Sequence, residues 1–501
     1  MNVIDGLLNR FTMYRILVLV LGTLAALSVI FAFFGRFSSS PTALIISMAA
    51  LLAGAYVADR GFGKLFEVTS NMESSLISAL ILFLIVQPAH TIGEVGILTL
   101  TGAVSSASKF LITWHGKHIF NPSAFAAAIL SLTGLQAVTW WIGSSVLWPF
   151  ALILGLLVVR KIRRIPLVIT FFVFAVALQY ALFVHAHQPI LADMKHALLA
   201  SPLIFLGTIM LTEPATMPPR RNLQILFAAL VAGLYVTAFR IGPFRIYPEV
   251  ALLVGNLYAF AVSPKLRARL QLAEIQKISD RVYNYVFTPD QRFAFVPGQY
   301  MEWTLPGVRY DSRGNRRTFT IASSPTEPTV QLGLKYFEPA STFKKALYDM
   351  QPGDTIYASQ LAGDFTIRGS ETKQLAFIAG GIGITPFRSM IKNATDLGQA
   401  CDIVLLYIVS QADELAYSDE LLAAQAVGIK TYPIVTDLSY KADGVTTAKL
   451  TQELITKLIP DYSSRAFYVS GSNGMVDATQ SYLHSLGIPR RRIKTDHFSG
   501  Y

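Results

Sequence analysis

The chain of 501 residues has 52 % hydrophobic and 15 % charged residues, whereas soluble domains carry about 25 % charged residues, so a large part of it is expected in a membrane. The net charge of +11 does not indicate a nucleic-acid partner, because many basic residues flank apolar runs, where they set membrane orientation. The single cysteine, Cys401, excludes an internal disulfide and a cysteine-ligated iron–sulfur cluster, which takes about four cysteines.

Apolar runs dominate the N-terminal part of the chain, and we predict a membrane domain over 1–264. A spanning helix needs about 20 mostly apolar residues, and ten runs approach that length. They lie at 16–35, 42–58, 74–88, 91–108, 123–137, 140–159, 165–185, 200–212, 223–240 and 247–263. The sequence therefore predicts a polytopic α-helical domain of about ten spans.

Basic residues between these runs predict the orientation of the domain, because cytoplasmic loops are rich in Lys and Arg. With ten spans, the main charged clusters fall on one face. These clusters begin at Arg10, Asp59, Lys109, Arg160, Arg220 and Lys265, and the scattered exceptions are Arg36, Lys195, Arg240 and Arg245. We therefore expect a multi-pass protein of the inner (cytoplasmic) membrane, with both termini in the cytoplasm.

Two short sequences of the membrane domain recur further along it. LIVQPAHTIG (84–93) is similar to IMLTEPATMP (209–218), and IFNPSAFAAAIL (119–130) is similar to IYPEVALLVGN (246–256). About five spans, an odd number, separate the copies, so they would face opposite sides of the membrane. This spacing predicts an inverted repeat, which places sites in broken helices at the repeat interface. Chance similarity of proline-containing breaks is the alternative.

The motifs GKHIFNPSAFAAAI (116–129) and LTEPATMPP (211–219) resemble the membrane family of the Na+-translocating NADH:quinone reductase B subunit and the Rnf complex D subunit. The resemblance covers roughly residues 10–263 and implies ten helices in two repeats, with FMN attached to Thr216. Attachment requires an exposed hydroxyl, which a loop at the membrane boundary would provide. The family has Gly where Pro214 stands, so FMN is expected either covalently at Thr216 or unattached. A capping role for the Thr216 hydroxyl is the alternative.

Two polar residues beside prolines, Asn121 and Glu213, interrupt the apolar runs of the membrane domain. Polar groups at membrane depth are costly and are usually functional. We therefore expect them to line a site, although a simple loop boundary would also explain Glu213.

From residue 270 the pattern changes to short strands bounded by glycine and proline turns. The segments EIQKISDRVYNYVFTP, FVPGQYMEWTL, RRTFTIASSP, TVQLGLKYF and GDTIYASQL predict an antiparallel β-barrel domain over 270–371. In 372–501, the strands QLAFIAGG, CDIVLLYIVS, IKTYPIVT and RAFYVSG alternate with helical segments. This alternation predicts an α/β parallel-sheet domain that binds a nucleotide.

The first strand of the predicted parallel sheet runs into a glycine-rich turn, GGIGITP (380–386). Glycines let the backbone approach a pyrophosphate, and a helix N-terminus offers free N–H groups. Because the turn lies between a strand and a helix, it predicts a nucleotide site at Gly380, Gly381, Gly383, Thr385 and Pro386. A purely structural turn is the alternative.

Residues 270–501 resemble the ferredoxin–NAD(P)H reductase family across both of its domains. The motifs that carry the resemblance are FVPGQY (295–300), RTFTIASSP (317–325), ASTFKKAL (340–347) and YVSGSNGM (468–475). The resemblance implies FAD, with Arg317 on its phosphate, Phe319 against the isoalloxazine and Thr320 on the flavin ring. Ser341 and Thr342 would hold the flavin phosphate. The family usually has Tyr in place of Phe319, so one hydrogen bond is missing.

The resemblance also places Ser470 and Gly471 beside the nicotinamide, where the family has Cys-Gly and the Cys helps to align hydride transfer. Plant-type members end in a Tyr that stacks on the flavin, and Tyr501 fits that role; a frayed terminus is the alternative. NADPH enzymes commonly carry Ser and Arg after the second strand, where this chain has Ser410-Gln411. We therefore expect NAD(P)H as the substrate, with NADH favoured.

Together these features predict a membrane-bound NAD(P)H dehydrogenase without a bound metal. Electrons would pass from NAD(P)H through FAD to a flavin or quinone acceptor in the membrane domain, and other redox subunits are further candidate partners. One alternative is a transmembrane ferric reductase or NADPH oxidase, although the eight histidines do not pair at the spacing that stacks two haems. We expect His115 and His118 at the membrane interface instead. The other alternative is a transporter with a regulatory nucleotide-binding domain, in which a complete flavin motif would have no purpose.

Overall fold

The computed structural model describes residues 8, 11–66, 72–114, 117–241, 244–306, 315–337, 340–367, 374–440, 442 and 444–498. The chain divides into an N-terminal unit, Asn2–Lys265, and a C-terminal unit that begins at Leu266. Tyr501, the predicted flavin-stacking residue, lies outside the described residues.

The N-terminal unit is helical, as expected of long apolar runs that satisfy their own backbone polar groups. Helices α1–α5 are Met13–Phe33, Pro41–Leu65, Met72–Ile85, Ile92–Leu111 and Pro122–Thr133. Helices α6–α11 are Trp148–Ile162, Ile165–His185, Ile190–Leu199, Leu203–Met210, Arg221–Thr237 and Pro248–Val262. Among the described residues, α1, α2 and α7 are long and apolar enough to cross a membrane, and α8 with α9 would add a fourth span if that bent pair crosses as one. These helices indicate membrane association.

The count of ten spans is not confirmed, although a helix lies at each of the ten predicted positions. Helices α3, α5, α10 and α11 have 14, 12, 17 and 15 residues, fewer than the about 20 that a span needs. The run at 200–212 yields α9 alone, whose last five residues form a π-helical turn. Helix α8 is absent from the predicted spans because Asp193, Lys195 and His196 make its sequence too polar.

The order of elements in the first part of this unit recurs in the second. Helices α3 and α9 each end at a Pro-Ala break, Pro88-Ala89 and Pro214-Ala215. After the next helix, a hairpin of two-residue strands leads into a helix that begins with proline. The strands are β1 Thr113–Trp114 and β2 Lys117–His118 before α5, and β3 Arg240–Ile241 and β4 Phe244–Arg245 before α11. This recurrence supports the predicted internal repeat.

The C-terminal unit begins with a curled antiparallel sheet of six strands. Strands β5–β10 are Arg267–Lys277, Val282–Pro289, Tyr300–Thr304, Arg316–Thr320, Val330–Lys335 and Thr355–Ala362, and they are ordered β8-β7-β10-β5-β6-β9. Alternation along β5 places Ala268, Leu270 and Leu272 in the core. Helix α12, Thr342–Tyr348, follows β9.

A parallel sheet completes the unit. Strands β11–β16 are Leu375–Gly380, Ile403–Val409, Ile429–Val435, Thr446–Thr447, Ala466–Ser472 and Ile493–Phe498. Helices α13–α16 are Thr385–Asp396, Ser418–Ala423, Gln452–Leu458 and Asn473–Ser485. The strand order is β14-β13-β12-β11-β15-β16. The order reverses between β11 and β15, and ligands of such sheets bind at the carboxyl ends of the strands at this point.

Candidate flavin and nicotinamide site

The predicted flavin residues of β8 meet the start of α12. Arg317 and Phe319 are alternate residues of the strand, so they lie on one face of it, and both are half-buried. The buried ring of Phe343 contacts both residues, with its centroid 5.3 Å from Arg317 Cζ and 5.9 Å from the Phe319 centroid. Thr320 is buried opposite Tyr300 of β7. The structure thus brings together the arginine and the aromatic ring, and it adds Phe343, which the sequence motif did not single out.

Ser341 and Thr342 lie at the start of α12, as the sequence predicts. The buried Ser341 hydroxyl accepts the backbone N–H of Lys344 at 3.3 Å, so it caps the helix. Its contact with a flavin phosphate stays a prediction.

The glycine-rich turn lies at the carboxyl end of β11. A Cβ at Gly383 would lie 2.5 Å from the Ser470 carbonyl oxygen, and a Cβ at Gly471 would lie 3.2 Å from Gly380 Cα. Gly383 and Gly471 are therefore glycines because the neighbouring backbone leaves no room for a side chain. Gly381 has a φ of +54° and nothing within 4 Å of the place of its Cβ, so it borders open space where a pyrophosphate could approach. Thr385 and Pro386 are buried at the start of α13.

Ser470 is fully buried at the carboxyl end of β15, beside Ala379 of β11. Its hydroxyl has no hydrogen-bond partner within the described part of the chain. Buried polar atoms are usually paired, so a ligand group is the natural partner of this hydroxyl. Met475 packs against Gly380, where a Cβ would lie 3.2 Å from its sulfur.

The curled sheet and the parallel sheet contact each other beside this turn. A Cβ at Gly333 of β9 would lie 2.7 Å from Thr385 Cγ2. The buried Arg388 of α13 donates hydrogen bonds to Glu327 Oε1 at 2.9 Å and to Glu420 Oε1 at 3.1 Å. Burial alone would lower the pKa of Arg388, but the two carboxylates outweigh it and raise the pKa. These contacts hold the predicted flavin residues and the predicted nicotinamide residues in one compact unit.

Two acidic residues contact the backbone of Ser410 at the end of β12, Glu414 through its carboxylate and Asp437 through its backbone N–H. Glu414 Oε2 accepts the Ser410 backbone N–H at 3.3 Å, and its other oxygen pairs with Lys335 Nζ at 2.5 Å. The backbone N–H of Asp437, after β13, donates to the Ser410 carbonyl oxygen at 3.2 Å. Hydrogen bonds from the Ser439 side chain and backbone lower the pKa of Asp437. An acidic residue at this position is not obvious from the sequence, because Asp437 follows a different strand.

In the N-terminal unit, the two polar residues Asn121 and Glu213 form one hydrogen-bonded cluster with Thr216 and Asn256. Glu213 Oε2 accepts Asn121 Nδ2 at 2.6 Å and the Thr216 hydroxyl at 3.1 Å. Asn256 Nδ2 donates to the Thr216 carbonyl oxygen at 3.2 Å, and Asn256 Oδ1 accepts the Asn121 backbone N–H at 2.9 Å. Asn256 was not predicted as a site residue, although it is the last residue of the repeated sequence IYPEVALLVGN. Thr216 is 3 % exposed, which corrects the expectation of an exposed hydroxyl.

A cavity of about 40 Å³ lies beside this cluster. Its polar lining includes Asn121, Thr212 and Glu213, and residues of α1, α3 and α6 supply most of the apolar lining. A cavity of this size holds at most a few water molecules. A flavin or quinone ring would enter only if the apolar helices moved apart.

Residues 377–481 match the oxidoreductase NAD-binding domain family. The reductase component of propane 2-monooxygenase from Mycolicibacterium goodii is 28 % identical over 217 residues, 42 % of this chain and 60 % of that protein. A flavohemoprotein from Oceanobacillus iheyensis is 21 % identical over 44 % of this chain and 56 % of that protein. The chain thus spans less than two thirds of the length of these curated relatives.

Among solved structures, a ferredoxin NADP+ reductase from Neisseria gonorrhoeae with bound FAD and NADP matches 47 % of this chain and 99 % of its own, with 20 % identity and a TM-score of 0.41. The family match and the curated relatives confirm the predicted reductase resemblance. The comparisons support an NAD(P)H-dependent flavin oxidoreductase module in the C-terminal unit, with FAD and NAD(P)H as its ligands.

Proposed function

We propose that this chain is a membrane-bound NADH dehydrogenase, which passes electrons from NADH through FAD to an acceptor in its helical unit. The observation that carries the proposal is the buried, unsatisfied Ser470 hydroxyl beside the glycine turn, in a compact unit that also holds the Arg317–Phe319–Phe343 cluster. The described part of the same chain contains three helices long and apolar enough to cross a membrane. Reductase and membrane helices in one chain favour an electron path into the membrane.

Bound FAD would accept a hydride and release its electrons singly. Arg317 would neutralise the flavin phosphate, and Phe319 would cover one part of the ring system. The Ser470 hydroxyl would orient the nicotinamide, and the turn at Gly381 would receive its pyrophosphate. Each of these residues positions a group, and none needs to change its covalent state.

NADH rather than NADPH is the proposed donor, because the acidic residues Glu414 and Asp437 hydrogen-bond with the Ser410 backbone, Glu414 through its carboxylate and Asp437 through its backbone N–H. Their negative charges would repel a 2′-phosphate, whereas an acidic side chain can accept a ribose hydroxyl. Lys335, the cation beside Ser410, is already paired with Glu414. In steady-state assays, Asp437→Ser should lower the ratio of kcat/KM for NADH to kcat/KM for NADPH roughly tenfold. This change corresponds to about 1.4 kcal/mol of transition-state stabilisation. The control is Asp419→Ser, at an exposed position of α14. An unchanged ratio in Asp437→Ser would contradict the assignment of NADH as the donor.

The proposed acceptor site in the helical unit is the cluster around Glu213. Polar groups are costly in such surroundings and usually functional, and Glu213 and Asn121 both line the adjacent cavity. Because the Thr216 hydroxyl is buried and donates to Glu213, we favour an unattached acceptor, a quinone or a flavin. Denaturing-gel fluorescence of protein co-expressed with the attaching enzyme should then show a dark band. A fluorescent band that Thr216→Ala abolishes would instead establish covalent FMN.

The whole proposal is tested on the purified full chain in detergent. The absorption spectrum should show flavin without a haem Soret band, and acid should release FAD. NADH oxidation should depend on an added quinone. A Soret band would favour a ferric reductase or NADPH oxidase, and absence of acceptor-dependent NADH oxidation would favour a regulated transporter. The predicted ten spans, inverted repeat and cytoplasmic termini are part of this proposal.

A further inference from the structure

A series of aromatic side chains crosses the curled sheet, starting at the strand that carries the flavin residues. The Trp303 indole donates a hydrogen bond to the Phe319 carbonyl oxygen at 3.2 Å. The Phe287 ring lies between Trp303 and Tyr285, with centroids 5.6 Å and 6.4 Å away. Trp303, Phe287 and Tyr285 are all fully buried. The series therefore starts in the core, directly behind the flavin strand.

The series continues to the surface through tyrosines. Tyr285 Oη and Tyr336 Oη are hydrogen-bonded at 2.6 Å, and the Tyr336 ring centroid is 5.5 Å from that of Tyr348. Tyr348, at the end of α12, is 53 % exposed. Tyr283 packs edge-on against both Tyr336 and Tyr348, at 5.4 Å and 5.5 Å.

Side-chain chemistry separates this series from ordinary packing. Tryptophan and tyrosine are the side chains that lose one electron most readily, whereas phenylalanine does not. A tyrosine that loses an electron must also give up its phenolic proton, and the hydrogen bond from Tyr285 to the half-buried Tyr336 provides a path along which that proton can be passed towards water. Burial raises the pKa of Tyr285 to about 12, so its phenol is neutral and carries that proton.

We propose that Trp303, Tyr285, Tyr336 and Tyr348 form a relay that carries a one-electron oxidising equivalent from the flavin site to the protein surface. The relay rests on the proposed function, because the oxidant would arise where reduced flavin meets dioxygen. The oxidant is a peroxide-derived one-electron oxidant, of the hydroxyl-radical class. Reduction of this oxidant through the relay would protect the predicted flavin and nicotinamide residues from oxidation.

Electrons and protons balance along the relay. The oxidant takes one electron from Trp303, and Trp303 regains one electron from Tyr285. Tyr285 passes its phenolic proton to Tyr336 Oη while the half-buried Tyr336 releases its own proton to water. Tyr348 then gives one electron to Tyr285, the two proton transfers reverse, and Tyr348 releases its own phenolic proton to water. A thiol-class reductant in solution restores Tyr348 with one electron and one proton. The net change is the one-electron reduction of the oxidant at the expense of the thiol.

The test uses the full chain loaded with FAD. Blue light excites the oxidised flavin, which withdraws one electron from its surroundings, and transient absorption and electron paramagnetic resonance then identify the radicals. The wild-type protein should give a tyrosyl radical, and Tyr285→Phe should lose most of that signal and retain a tryptophan radical. The matched control is Tyr357→Phe, because Tyr357 of β10 stacks under Arg267 outside the series. A tyrosyl signal as strong in Tyr285→Phe as in the wild type would overturn the relay.

Tyr348→Phe provides a second test at the exposed end, where folding is little affected. It should keep the radical inside the protein, so that a soluble thiol quenches the radical more slowly than in the wild type. An unchanged quenching rate would contradict the assignment of Tyr348 as the terminal residue. FAD content and NADH oxidation are measured on the same samples. Normal NADH oxidation without a tyrosyl radical would overturn the relay alone, whereas absent NADH oxidation in the wild type would overturn the proposed function.

Discussion

Ser470 illustrates how one buried atom can indicate a ligand. Its hydroxyl lacks a partner among the described residues and lies beside Ala379 at the carboxyl end of β15, where the nicotinamide is predicted. If the nicotinamide is its partner, Ser470→Ala should slow hydride transfer roughly fivefold, because one hydrogen bond contributes about 1 kcal/mol. Ser470→Cys, which keeps a weak polar group, should retain most of the rate. Stopped-flow bleaching of FAD by NADH measures both, and an unchanged rate in Ser470→Ala would show that the hydroxyl is not used.

Arg317 and Arg316 form a matched pair for testing the flavin site. Arg317 contacts Phe343 beside the start of α12, whereas the exposed Arg316 pairs with Glu302 at 3.3 Å. Arg317→Ala should weaken FAD binding 10- to 100-fold, since a charge-assisted hydrogen bond contributes about 1.5–3 kcal/mol. Arg316→Ala should change it little, because surface ion pairs contribute about 0–1 kcal/mol. Titration of the apoprotein with FAD measures both affinities, and equal affinities would reject the role of Arg317.

At the scale of elements, α2 and α4 depend on two glycines where their backbones touch. A Cβ at Gly54 would lie 1.8 Å from the Thr99 carbonyl oxygen, and a Cβ at Gly102 would lie 2.2 Å from the Leu51 carbonyl oxygen. Small residues allow such close helix packing in membranes. Gly102→Ala should therefore lower the free energy of unfolding of the helical unit by about 1–3 kcal/mol.

The control for this change lies on the same helix. Gly96 of α4 has nothing within 4 Å of the place of its Cβ, and alanine has the higher helix propensity by about 1 kcal/mol. Gly96→Ala should leave the thermal midpoint of the full chain in detergent unchanged or raise it. If both variants melt alike, the backbone contact between α2 and α4 does not limit stability.

The positions of most helices and strands could be predicted from the local sequence pattern. Their lengths and the elements they pack against could not. Apolar runs locate helices because lipid and core exclude polar residues, but Pro88 and Pro214 end α3 and α9 early, which shortens the predicted spans. Strands β11, β12 and β15 of the parallel sheet were predictable because they are buried on both faces and therefore form continuous apolar runs in the sequence. Asn256, Phe343 and Asp437 reach their sites through contacts with residues far along the chain, and periodicity carries no such information.

At the scale of the whole molecule, one chain holds a reductase module and a helical unit. Covalent linkage raises the effective concentration of donor at acceptor, so the proposed electron path does not depend on the chance encounter of two proteins. Loss of either unit should then separate NADH oxidation from transfer to the membrane acceptor.

The fragment 266–501 tests this separation. It should be soluble and yellow, because the cores of both sheets lie within Leu266–Tyr501. The start point matters, since β5 begins at Arg267 and its residues Arg267, Ala268 and Arg269 pair with β10. A fragment that starts at the predicted boundary of 270 loses this ladder and the buried Ala268, so it should melt at a lower temperature than the fragment from 266.

Activity of the fragment separates the two steps of the proposed reaction. With ferricyanide as an artificial one-electron acceptor, the 266–501 fragment should oxidise NADH as fast per FAD as the full chain does. With a water-soluble quinone, the fragment should be slower, because the cluster of Asn121, Glu213 and Asn256 is missing. Absorbance at 340 nm follows NADH in both assays. A fragment without flavin would show that the module depends on the helices for folding, and equal quinone rates per FAD would show that the helical unit does not carry the acceptor site.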